Sequence, residues 1–110
     1  MAVTHLVLFR FRADLSPEAV SDACAKLMAL KDTCIHPATQ EPYILSLTGG
    51  KDHSPKKAQD GITHAFRIEF ESTEDRDYYV KTDPAHQSFM ALARTVVERA
   101  IVVDYTPGQF

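Results

Sequence analysis

Apolar and polar residues change period six times along the chain, and each change marks an element. In VTHLVLFRF (3–11) β-branched and aromatic residues dominate, and Val3, His5, Val7, Phe9 and Phe11 share one face of a strand. Leu6 and Leu8 make the opposite face apolar too, as in a strand covered on both sides. Across SPEAVSDACAKLMALK (16–31) the period becomes helical. Ser16 is placed to cap, Pro17 sits at the first helical position, and Val20, Ala23, Cys24, Leu27 and Leu30 form one stripe. PYILSLTGG (42–50) reads as a second strand, and the polar KDHSPKKAQD (51–60) as a loop. GITHAFRIEFES (61–72) alternates most cleanly, with His64, Phe66, Ile68 and Phe70 on one face and Ala65, Arg67 and Glu69 on the other. Ser72 caps a helix over 73–80 that Pro84 interrupts, because proline disfavours helical geometry before it and cannot continue the hydrogen bonding. A second helical segment is expected over 84–100, its stripe being His86, Phe89, Met90, Ala93, Val96 and Val97, and IVVDYTP (101–107) closes the chain as a strand.

The resulting order, β-α-β-β-α-β with the second helix broken at Pro84, predicts an α+β fold. It is the ferredoxin-like split βαβ arrangement, with helices on one face of an antiparallel sheet. Residues 1–110 are expected to form one domain. The uncovered face would leave Leu6 and Leu8 exposed in a monomer. A homodimer joined through that open sheet face would bury them.

Composition narrows the partners. Apolar residues are 45% of the chain, too many for a disordered segment. A net charge of -3, with no basic cluster larger than the two lysines of SPKK, excludes nucleic acid as an expected partner. No apolar run approaches the roughly 20 residues of a membrane span, and MAVTHLVLFRFR lacks a basic leader region, so a cytoplasmic location is expected. Cys24 and Cys34 form neither a CxxC pair nor a secreted framework; they are expected to be reduced, buried thiols, and no metal site is expected.

HLVLFRFR, GITHAFRIEFES, DYYVKTDPAHQSF and DYTP, occurring in that order, resemble the stress-responsive dimeric α/β-barrel (Dabb) family over nearly all 110 residues. Within it, the chain is similar to plant polyketide cyclases. That resemblance implies a pocket between sheet and helices where a linear poly-β-keto chain is closed by an intramolecular aldol reaction, with no metal or organic cofactor. It implies functional histidines at His5, His64 and His86 and a tyrosine in the DYY region, Tyr79, with Tyr78 the alternative. Catalysis is expected from His86 and Tyr79. Binding of a small hydrophobic carbonyl-containing ligand is expected from His5, His64, Phe9, Leu27, Phe66 and Phe89.

The residue types suit such chemistry. A base must remove a proton alpha to a carbonyl, and imidazole titrates near working pH, at about 6.5. A phenol can donate to the enolate or alkoxide oxygen. His86 falls in a first helical turn, where the dipole favours the neutral ring. His5 and His64 lie near opposite ends of paired strands, ~15 Å apart at ~3.4 Å per residue, and so form no dyad. A non-catalytic stress-response barrel, or a binder of hydrophobic small molecules, would use the same core; His5 and His64 would then be ordinary buried histidines.

Overall fold

A computed structural model describes residues 1–110. The elements run β1 (Val3–Phe11), α1 (Pro17–Met28), α2 (Leu30–Thr33), β2 (Ile44–Lys51), β3 (His64–Phe70), α3 (Thr73–Lys81), α4 (Pro84–Val96) and β4 (Val97–Tyr105). The four strands form one antiparallel sheet in the order β2-β3-β1-β4, the ferredoxin-like α+β arrangement. Ser16 accepts from the Ala19 N–H at 3.1 Å and Ser72 from the Asp75 N–H at 3.1 Å, so α1 and α3 both start at side-chain caps.

The inner sheet face meets the helices in one core. Phe66, Ile68 and Phe70 from β3 pack with Leu27, Leu30, Tyr79 and Phe89, all nearly inaccessible to solvent. Each such side chain contributes about 1.5–3 kcal/mol by leaving water. At Gly49, β2 lies so close to the neighbouring β3 that a Cβ would overlap the Phe66 ring and lie 2.9 Å from the Ala65 carbonyl oxygen. Only glycine fits there without displacement.

Two expectations from the pattern need correction. The last helix ends at Val96, not 100, and the last strand begins at Val97. β1 extends to Phe11 and offers Phe9–Phe11 as pairing partners, so Val97 pairs with Phe11 and Ala100 with Phe9. The β-branched Val96 and Val97 favour that switch over another helical turn. On the open face, Leu6 and Leu8 are half-buried rather than exposed, because Val103 and Ile101 of β4 and Arg67 of β3 stand beside them. The exposed apolar side chains there are Val103 and Tyr105, at 49% and 45%.

Candidate functional site

α3 carries Tyr79 into the core, where it is 2% exposed. The helix stops at Thr82, and Asp83, itself 1% exposed, caps α4 by accepting from the Ala85 N–H at 2.9 Å. Its other carboxylate oxygen accepts from the Tyr43 hydroxyl at 2.5 Å. This buried, charge-assisted bond fixes the start of α4. His86, in the first turn of that helix, is held with its ring centroid 4.0 Å from that of Tyr79. The Tyr79 ring also meets His5 of β1 edge-on, at 5.9 Å.

His5 is 5% exposed and is oriented by a chain of hydrogen bonds. Its Nδ1 lies 2.6 Å from Asp104 Oδ1, and the other Asp104 oxygen lies 2.6 Å from the Arg76 guanidinium. His5 and Asp104 are cross-strand partners on the inner face, while the next residue, Tyr105, turns to the open face. A carboxylate only accepts, so His5 Nδ1 carries the proton, and Nε2 is the lone-pair nitrogen of the neutral ring.

His5, Tyr79 and His86 border a cavity of about 230 Å³. Val7, Phe9, Leu27 and Phe89 form its apolar walls. Ala100 and Val102 of β4, with Gln87 and Arg94 of α4, lie on the side open to solvent. Burial, with Cys34 and Asp83 acting in the same sense, raises the pKa of the Tyr79 hydroxyl. Burial lowers the His86 pKa to about 4; a protonated His5 pushes the same way, while Asp83 and the Tyr79 carbonyl oppose it. The His86 Nδ1 is buried without a hydrogen-bond partner. The arrangement therefore presents a neutral imidazole and a protonated phenol beside a histidine backed by a carboxylate.

Of the residues expected from sequence, His5, Phe9, Leu27, Tyr79, His86 and Phe89 line this cavity together. His64 and Phe66 do not. His64 pairs with Phe9 four residues along β1 from His5, its Nδ1 lies 2.9 Å from Thr63 Oγ1, and its ring abuts Phe11 at 4.9 Å. Phe66 packs behind Phe9, with ring centroids 5.8 Å apart. The sheet register thus puts the Phe9 ring between these two residues and the cavity. Tyr78 faces a separate aromatic cluster with Tyr43 and His36.

Asp104, Arg76, Asp83 and Tyr43 complete the surroundings. Only Asp83 carried a local signal, an N-cap residue directly before Pro84. Cys34 is buried beside Asp83, and desolvation pushes its thiol up to about 12, so it is an unreactive core residue. Cys24 is half-buried, and both cysteines are free. No cluster of three or more potential metal ligands occurs. No helix is long and apolar enough to cross a membrane.

Fold and site together define a ferredoxin-like α+β domain with a small apolar cavity between sheet and helices, bordered by two histidines and a tyrosine. The chain belongs to the stress responsive A/B barrel domain (Dabb) family, whose model matches residues 3–107. It is 32% identical over 108 residues to olivetolic acid cyclase from Cannabis sativa, covering 97% of this chain and 98% of that one. It is 30% identical over 105 residues to the stress-response A/B barrel domain-containing protein HS1 from Arabidopsis thaliana, covering 96% and 89%. Among solved structures, an Arabidopsis thaliana protein superposes with a TM-score of 0.83 at 29% identity, over 98% of this chain and 97% of that one. A dimeric ferredoxin-like protein from Thermobifida fusca shares the fold at 19% identity, with a TM-score of 0.74 over 96% and 91% of the two chains.

Proposed function

We propose that this protein is a cofactor-independent enzyme that closes a poly-β-keto substrate by an acid–base catalysed intramolecular aldol reaction. The observation that carries this reading is the convergence of His5, Tyr79 and His86 on one apolar cavity. The likeness to olivetolic acid cyclase supports it.

His5 is the base. Its Nε2 removes the proton alpha to a carbonyl, and the imidazolium so formed lies against Asp104, itself paired with Arg76. The expectation from sequence gave the base to His86. That ring is held neutral by burial, which makes it a weaker proton acceptor. His86 instead lines the cavity as a neutral ring, placed to accept from an enol or hydroxyl of the substrate. Tyr79 stays protonated and donates to the enolate or alkoxide oxygen; in an apolar cavity that bond is worth more than in water. The aldol step forms one carbon–carbon bond and moves the alpha proton, through His5, to the new alkoxide.

A single-turnover assay with a linear poly-β-keto thioester tests this. His5→Ala is expected to lower kcat about 10²–10⁴-fold, and Tyr79→Phe about 10²–10³-fold. Rates within twofold of the unaltered protein for both variants would sink the proposal. Retained binding with no turnover in any form would favour a hydrophobic-ligand carrier. The exposed Val103 and Tyr105 on the open face support a homodimer formed through that face. Light scattering should return twice the 12.3 kDa chain mass and, for Val103→Lys, a shift toward one chain.

A further inference from the structure

Of the six arginines, five are in ion pairs: Arg10 with Glu98, Arg12 with Asp14, Arg67 with Glu69, Arg76 with Asp77 and Asp104, and Arg99 with Asp60. Arg94 has no carboxylate within 4.0 Å and is exposed at the cavity's open side. No aspartate or glutamate lines the cavity, so Arg94 is its one permanently charged residue.

Its place on α4 gives it a geometric relation to the reactive end. His86, Met90 and Arg94 follow one another at four-residue spacing and all line the cavity, so they share one helix face. Eight residues at ~1.5 Å rise separate His86 from Arg94 by roughly 12 Å along the axis. The wall between them is apolar, with Met90 on the helix and Ala100 and Val102 across from it on β4.

We propose that Arg94 is an anion-binding residue, and that the cavity's ligand is an amphiphile. Its apolar body lies along Met90 and Val102, and its anionic end, a carboxylate or a phosphate ester, meets the Arg94 guanidinium roughly 12 Å along the α4 axis from His86. Guanidinium forms paired hydrogen bonds with either anion. The proposal rests on the cavity being the ligand site proposed above, and it adds the charge and the length of what binds there. It does not depend on the aldol chemistry.

Binding of three eight-carbon probes, octanoate, octyl phosphate and 1-octanol, would be followed by NMR at low salt through the shifts of Tyr79, His86 and Met90. At least one anion is expected to bind about three- to fivefold tighter than the alcohol, the size typical of an exposed ion pair. That preference should vanish in Arg94→Gln and in high salt, and persist in part in Arg94→Lys. Whichever anion binds tighter identifies the source, a free acid or a phosphorylated carrier. Equal binding of the alcohol and both anions overturns the proposal, as does a preference surviving in Arg94→Gln or a failure of all three probes to shift the cavity residues. Because His5→Ala leaves Arg94 in place, anion preference without turnover in that variant separates this site from the reaction.

Discussion

Acidification should act strongly through His86, because burial leaves an added proton on its ring poorly solvated. Tyr79 lies against it from α3, His5 stands nearby on β1, and Asp83 caps its helix. Burial and a protonated His5 outweigh the opposing Asp83 and hold the folded ring down to about 4, against 6.5 for an unperturbed histidine. Above about pH 7 both folded and unfolded chains carry a neutral ring, and His86 adds no pH dependence. Below about 6.5 the unfolded chain binds a proton that the folded chain refuses, so stability falls as pH falls. Below about 4 the folded ring protonates as well, and the loss levels off. Each pH unit within that window costs about 1.4 kcal/mol, or about 3 kcal/mol for a sealed site. His86 is only half-buried, and solvent screening reduces the expected loss to about 2 kcal/mol.

The assay is urea unfolding followed by circular dichroism, at several pH values between about 7 and 4, on the unaltered protein and His86→Gln. The difference between the two curves removes the contribution of the carboxylates and the other histidines. It should favour the variant increasingly as pH falls through the window. A ring titration measured by NMR with a midpoint near 6.5, or parallel stability curves, would refute the argument that burial controls this residue.

Tyr43→Phe removes the hydrogen bond to the buried Asp83, and by the worth of a bond to a charged group it should lower unfolding free energy by about 1.5–3 kcal/mol; a loss below about 0.5 kcal/mol in urea melts would contradict that role. Gly49→Ala forces the Phe66 ring and the Ala65 carbonyl apart and should cost about 1–3 kcal/mol, whereas Gly50→Ala, with open space at its Cβ, should cost much less in the same measurement. Asp104→Asn deprives His5 of its charged partner and should lower kcat about 10- to 100-fold with ligand binding little changed. Nitrogen chemical shifts of the unaltered protein should place the His5 proton on Nδ1, and a neutral ring protonated on Nε2 would contradict the orientation of its lone pair.

Each element of this chain was legible where local chemistry and periodicity agree. Ser16–Pro17 and Ser72 mark helix starts, the alternation from His64 to Phe70 marks β3, and Pro84 marks the joint between α3 and α4. The same patterns put His5 on the inner face of β1 and His86 in a first turn. The end of α4 was not legible, since TVVERAIVV holds no breaker and fits helix or strand alone. Its conversion to β4 at Val97 depends on Phe11, far away in sequence, offering an unpaired strand edge.

The site divides along the same line. Residue types and periodicity determined that His5, His86, Phe9, Leu27 and Phe89 belong to one layer between sheet and helices, and left the choice between Tyr78 and Tyr79 open. Register decided that His64 falls beyond Phe9, and the packing of α3 decided that Tyr79 meets His86 while Tyr78 joins Tyr43. The pairs that orient the site, His5 with Asp104, Arg76 with Asp104 and Tyr43 with Asp83, span 99, 28 and 40 residues. A contact across such a separation leaves no trace in local periodicity, because it forms only when the sheet aligns β1 with β4 and the helices settle over it.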